Sequence, residues 1–171
     1  IGGFPNGYRQ FEAGISDLDD LLESTVQALG PLRDLSEGND SESRYRFPHG
    51  VIESELQLLS QNLYQTTSRV KDQVVRLRAD VEDRLIAADP NERDSLEYWL
   101  PIVSSIEARF ESGAGLWQEM MREDHEDEPP TARWVNFRDD DETMLNASPI
   151  AVADDLQEML WSRCFGAVVT S

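Results

Sequence analysis

Two short clusters in this chain interleave arginine with an aromatic ring: Arg44-Tyr45-Arg46, and Arg133-Trp134 with Arg138 close behind. The pattern suits nucleic acid, because a ring can stack on a base while a guanidinium contacts a phosphate, and neither contact needs a particular base sequence. The plainer readings are a half-buried strand tryptophan and a flexible loop. Two acidic runs, Asp124-His125-Glu126-Asp127-Glu128 and Asp139-Asp140-Asp141-Glu142, carry enough oxygen for a divalent cation. They lack the glycine and ligand spacing of a calcium loop and the paired histidines of a zinc helix, and so read as solvated acidic loops. Cys164 with His49 or His125 would supply a thiol and a base, yet nothing in the sequence orients such a pair. A structural cysteine beside an apolar strand is the better reading. The chain has no Gly-x-x-x-x-Gly-Lys-Ser/Thr phosphate loop, and Lys71, its single lysine, falls within a helical pattern. These residues therefore have no evident means of hydrolysing ATP by themselves, and neither a catalytic residue nor a metal ligand is expected among them.

Charge limits what those arginines can achieve. Thirty-four Asp and Glu against 15 Lys and Arg give a net charge of -19 at pH 7 over 171 residues. Such a field repels phosphate backbones, so broad nucleic-acid binding is not expected; an acidic, lysine-poor surface of this kind also stays hydrated in concentrated salt. The lone Cys164 excludes a disulfide framework or a four-cysteine metal or iron–sulfur site within the chain, and fits a reducing, cytoplasmic setting. No apolar stretch reaches the ~20 residues of a membrane span, and the opening Ile1-Gly2-Gly3-Phe4-Pro5 has no signal-peptide pattern. The length suits one domain with its own core.

The elements that must position these residues are mainly helical. Ser16 is expected to cap a helix carrying Leu18, Leu21, Leu22, Val26 and Leu29, which Gly30-Pro31 ends. Ser36 to Gly50 reads as a loop or distorted hairpin. Leu56, Leu59, Leu63, Val70, Val74, Leu77, Val81 and Leu85 then recur by three, four or seven, predicting one long helix between Val51 and Ala88. Asp89-Pro90-Asn91-Glu92 has the form of a capping box opening a second long helix with Leu96, Leu100, Val103, Ile106, Phe110, Trp117 and Met121. The tight turn predicts an antiparallel return, and Pro101 predicts a kink. Trp99, Trp117 and Trp161 are expected in the core. Residues 123–130 read as an acidic linker, Thr131 to Phe137 and Thr143 to Ala147 as two short strands, and Ala153 to Arg163 as a further helix. Phe165 to Ser171 has the apolar composition of a buried parallel strand, which asks for a sheet outside this sequence.

The tail, from Ala147-Ser148-Pro149-Ile150 through Val152 to Leu156, Met159-Leu160-Trp161-Ser162 and Ala167-Val168-Val169-Thr170-Ser171, resembles the approach to helicase motif III in the DinG family of XPD-like helicases. There the strand continues Thr-Ser-Ala-Thr-Leu. Glu128-Pro129-Pro130-Thr131-Ala132-Arg133-Trp134 resembles the family's segment between a helical arm and the returning motor strands, and the two long helices resemble the arm itself. The resemblance implies a place in a larger protein. In it residues 1–15 would lead in from the first helicase domain, 16–122 would be the arch or insertion domain, 123–130 a linker, and 131–171 a hairpin, helix and strand returning to that helicase domain. Thr170 and Ser171 would open motif III, linking the nucleotide site to DNA movement.

The implied partners are the remainder of the helicase chain and, through it, single-stranded DNA moved 5′-to-3′ by ATP hydrolysis. ATP, Mg and an iron–sulfur cluster would belong to the parent, with none of them held by these residues. The expected fold is mainly α: an elongated antiparallel helical arm with a small β-hairpin and a fragment of the helicase α/β domain at its base. The alternative from another class is a stand-alone acidic helical module that binds a protein partner. On the helicase reading, the isolated chain is expected to show no ATPase activity and little affinity for single-stranded DNA.

Overall fold

A computed structural model describes residues 4–38, 42–124, 131–138 and 142–149. Three helices dominate it: α1 (Phe4–Leu29), α2 (Ser54–Ala87) and α3 (Pro90–Met121). Four antiparallel strands lie side by side in the order β1 (Glu37–Gly38), β2 (Glu42–Arg46), β3 (Thr131–Arg138) and β4 (Thr143–Pro149). The fold is therefore mainly α with a small sheet, as the periodicity predicts. Among the described residues no helix is long and apolar enough to cross a membrane. The predicted helix at 153–163, Trp161, Cys164, the terminal strand and most of the acidic runs fall outside the described residues.

The long helix forms where no glycine or proline interrupts it, and at ~1.5 Å per residue its 34 residues extend about 51 Å. Ala88-Asp89 then turns the chain. Asp89 accepts hydrogen bonds from the backbone N–H groups of Asn91 at 2.8 Å and Glu92 at 3.1 Å, and Pro90 sits in the first turn, where its missing N–H costs nothing. Lys71 meets Glu111 while Arg78 meets Glu107, so α3 runs back antiparallel to α2. It stays one helix through Pro101. Thr67 lies against Gly113, a small-on-small contact that lets the two helices approach closely.

The predicted start at Ser16 is wrong. α1 begins at Phe4, because Pro5 is tolerated in a first turn and the inward stripe of Leu18, Thr25 and Leu29 extends upstream to Phe11 and Gly14. Gly14 is where α1 crosses α2: a Cβ there would lie 2.8 Å from Val70 Cγ2. Gly30-Pro31 ends the helix as expected and opens a short 3-10 turn.

Residues 36–50, read as a loop or distorted hairpin, contribute β1 and β2 and extend the β3–β4 hairpin to four strands. The inner face of the sheet places Phe47, Val135 and Phe137 against Leu29, Leu56, Trp117 and Met120, forming one continuous core with the helices. The sheet thus closes the end of the bundle where α1 and α3 finish and α2 starts. At the opposite end the α2–α3 tip leaves Ile86, Tyr98 and Trp99 in solvent. Trp99 is 52% exposed and packs edge-on against Tyr98, so it is not the core residue its spacing suggested.

Candidate nucleic-acid interface

Strand alternation decides which candidate residues can meet a ligand. On β2, Glu42, Arg44 and Arg46 are exposed while Ser43 and Tyr45 turn toward the helices. On β3, Thr131, Arg133, Val135 and Phe137 are buried on that inner side; Ala132, Trp134, Asn136 and Arg138 lie on the outer one, where Asn136 is itself buried between its strand neighbours Arg44 and Met144. The register then sets the neighbours. Arg46 stands opposite Trp134 and Arg44 opposite Asn136; on the far side of β3, Asn146 stands opposite Trp134 and Met144 opposite Asn136.

Two segments 92 residues apart therefore join into one outward surface. Arg44 Nε donates to Asn136 Oδ1 at 2.8 Å, which aims the guanidinium along the sheet. Arg46 has no hydrogen bond or ion pair among the described residues, and Arg44 has no carboxylate partner there although Glu37 stands across from it on β1. Trp134 is half-buried and lies outside the hydrophobic core cluster. Beside it, Arg44, Arg46, His49, Ala132 and Trp134 border an open depression of about 360 Å³.

Two of the predicted contact residues do not face that surface. Tyr45 packs on the core, edge-to-face with Phe47 at 5.3 Å. Arg133 has a side chain only 2% exposed. Its Nε donates to the Glu119 carbonyl at 2.9 Å, Nη1 to the Gly50 carbonyl at 2.7 Å and to Asp124 Oδ2 at 2.9 Å, and Nη2 to the Arg122 carbonyl at 2.7 Å. A strand residue of the inner face carries its charge inward, and the ends of α3 and of the turn before α2 supply the acceptors. Arg133 is a tie holding the sheet to the helices.

Asp124, placed by its neighbours in a solvated loop, is the counter-charge of that tie. Burial alone pushes its carboxyl up, but the Thr131 N–H and the Arg133 guanidinium outweigh it and hold the group below the usual carboxylate range. Arg138 is on the outer face but is paired with Glu142 at 2.7 Å, and sits roughly 13 Å along the strand from Trp134 at ~3.4 Å per residue. Glu142 is thereby engaged away from any cation site, and among the described residues no cluster of His, Cys, Asp and Glu could hold a metal ion.

Asn136, Asn146 and His49 were not singled out by the sequence as parts of this surface. Asn136 was findable, since it follows Trp134 by two residues in a strand pattern. Asn146 and His49 depend on register and on the loop path. His49 adopts the left-handed conformation, φ 54°, next to Gly50 at φ 74°, and this turn brings the chain from β2 back beneath Thr131.

Taken together, the surface offers an indole between an amide and a guanidinium that is unpaired among the described residues, a second guanidinium held in place, and an open depression. Its chemistry suits a planar base carrying a phosphate, and among the described residues it brings together no nucleophile–base pair. No family model matches the chain. It is similar to the ATP-dependent DNA helicase DinG of Photobacterium profundum, with 24% identity over 160 residues, covering 90% of this chain and 23% of that protein. The chain thus spans about a quarter of the length of the relative it matches.

Proposed function

We propose that these residues form the insertion arm of a DinG-like ATP-dependent DNA helicase, which helps confine single-stranded DNA beside the motor domain. The observation that carries the reading is the similarity to the DinG helicase along 160 residues, which takes in nearly the whole chain rather than one amphipathic helix. The architecture is compatible with it: a helical hairpin with its own core is a self-supporting arm, and the sheet at one end gives it a rigid foot. In this reading the chain leaves the first motor domain near residues 1–15 and returns through 131–171, with Thr170 and Ser171 opening motif III. ATP, Mg and an iron–sulfur cluster would be held elsewhere in that longer cytoplasmic protein, since these residues carry one cysteine and no phosphate loop. The -19 charge keeps the strand from adhering along the helices, and basic grooves on the motor would supply most phosphate contacts.

The test is the reading frame. A frame that carries a phosphate loop upstream and continues past Ser171 with Ala-Thr into a second motor domain is the expected result. A stop codon directly after Ser171 with no motor upstream overturns the proposal, and so does ATP turnover by the purified 171-residue chain.

A further inference from the structure

Seven of the 15 cations of this acidic chain are held by carboxylates among the described residues. Arg69, Lys71, Arg78, Arg93, Arg122, Arg133 and Arg138 each pair with a carboxylate. Arg44 and Arg46 do not pair with one among the described residues, and they stand two residues apart on the same strand face, beside a half-buried indole. On that face the two guanidiniums stand next to one another toward Trp134, while Glu42 and, across on β1, Glu37 lie toward the other end.

We infer that the depression beside Trp134 holds one unpaired nucleotide of single-stranded DNA, its base stacked against the indole and its flanking phosphates on Arg46 and Arg44. This deepens the helicase reading above and rests on it for the choice of DNA as the nucleic acid. Four features support the assignment. The about 360 Å³ of the depression suits a single base and its sugar. Arg44 and Arg46 are separated by two strand residues, ~6.8 Å, a span that successive phosphates of an extended strand can match. The Asn136 carboxamide already fixes Arg44 through Nε, leaving both terminal nitrogens of the fork for a phosphate. The surface is also stiff, because Arg133 ties β3 from behind to α3 and to Gly50. A duplex is disfavoured: its bases are already stacked, and its doubled charge would meet the acidic helices.

The experiment uses the 171-residue chain labelled with nitrogen-15 and titrated with oligothymidylate at low salt, following the tryptophan indole and arginine Nε–H resonances. The expected result is a shift confined to Trp134, Arg44 and Arg46, with Trp99 and Trp117 unmoved. Trp134→Ser is expected to weaken binding roughly five- to hundredfold, as loss of one stacked base does, and Trp134→Phe to retain most of it. Arg44→Ala with Arg46→Ala is expected to flatten the logarithmic salt slope by about 1.4, about 0.7 for each phosphate contact. Unchanged helical circular dichroism shows that these variants fold. Equal binding of an abasic oligomer, tighter binding of the RNA of the same sequence, shifts centred on Tyr98 and Trp99, or no shift at millimolar DNA would each overturn the inference. A frame that continues into motor motifs together with a silent Trp134 refutes the pocket and leaves the helicase reading standing.

Discussion

Arg133→Leu separates a structural arginine from a DNA-contacting one. The substitution keeps apolar bulk but removes four hydrogen bonds, stranding the carbonyls of Gly50, Glu119 and Arg122 and the Asp124 carboxylate. Asp124, with 21% of its side chain exposed, can partly rehydrate and keeps the Thr131 N–H, so the carbonyls account for most of the loss. Removing one partner of a buried pair costs about 3–5 kcal/mol, and a net ~1 kcal/mol or somewhat more per bond to a charged donor leads to the same range. Urea unfolding followed by far-UV circular dichroism measures it: with a slope near ~2 kcal/mol/M, the midpoint should fall by roughly 2 M at unchanged slope. Arg46→Leu, which removes an exposed charge without a partner among the described residues, should stay within about 0.5 kcal/mol of wild type. A midpoint shift below roughly 0.5 M for Arg133→Leu, or equal shifts for the two variants, would refute the assignment of Arg133 as the tie.

Asp124→Asn should show a deficit that depends on pH. The folded-state pKa lies below the unfolded one, so the stabilisation is complete above the usual carboxylate pKa of 3.8 and is lost as pH falls through the lower folded value; a deficit unchanged down to about pH 3 counts against the pairing. Gly14→Ala pushes a methyl to 2.8 Å from Val70 Cγ2 and should cost ~1–3 kcal/mol despite the better helix propensity of alanine, with Val70→Ala restoring part of it. A stabilised Gly14→Ala in thermal melts would show that the helices simply part. Asp89→Ala removes the bonds to Asn91 and Glu92 and should cost about 1 kcal/mol, speeding amide exchange at the start of α3 while the sheet amides keep their protection; exchange that rises equally in both places would contradict it.

The helical hairpin was legible because its signals are local: an uninterrupted apolar period from Leu56 to Leu85, and a proline and an aspartate at the first turn of α3. The first turns of α1 are less legible, because they contain Pro5 and Gly14: Pro5 occupies a permitted first turn, and Gly14 is required by the approach of Val70. The sheet was half legible. β3 and β4 follow one another closely in sequence, but β2 takes its partner from beyond the far end of α3, a pairing that no local pattern in Glu42 to Arg46 reveals. The candidate surface shares that fate: Arg44, Arg46 and Trp134 were recognisable as residue types, while their adjacency, and the inward turn of Tyr45 and Arg133, follow from a register set by tertiary contact.

The pairing of Arg44 with Asn136 spans 92 residues, and this separation imposes an order in time. Closing so long a loop unaided is slow, since the entropy of bringing its ends together must be overcome before any contact rewards it. Once α2 and α3 zip from their short turn, residues 54 and 121 are already neighbours, and β3 needs only a few more residues to reach β2. During synthesis at ~5–20 residues per second, β2 therefore waits about 5–20 s with an unpaired edge. An apolar strand left open for that long would recruit other chains. Glu42-Ser43-Arg44-Tyr45-Arg46, charged at three of its five positions, is a strand that can tolerate the delay.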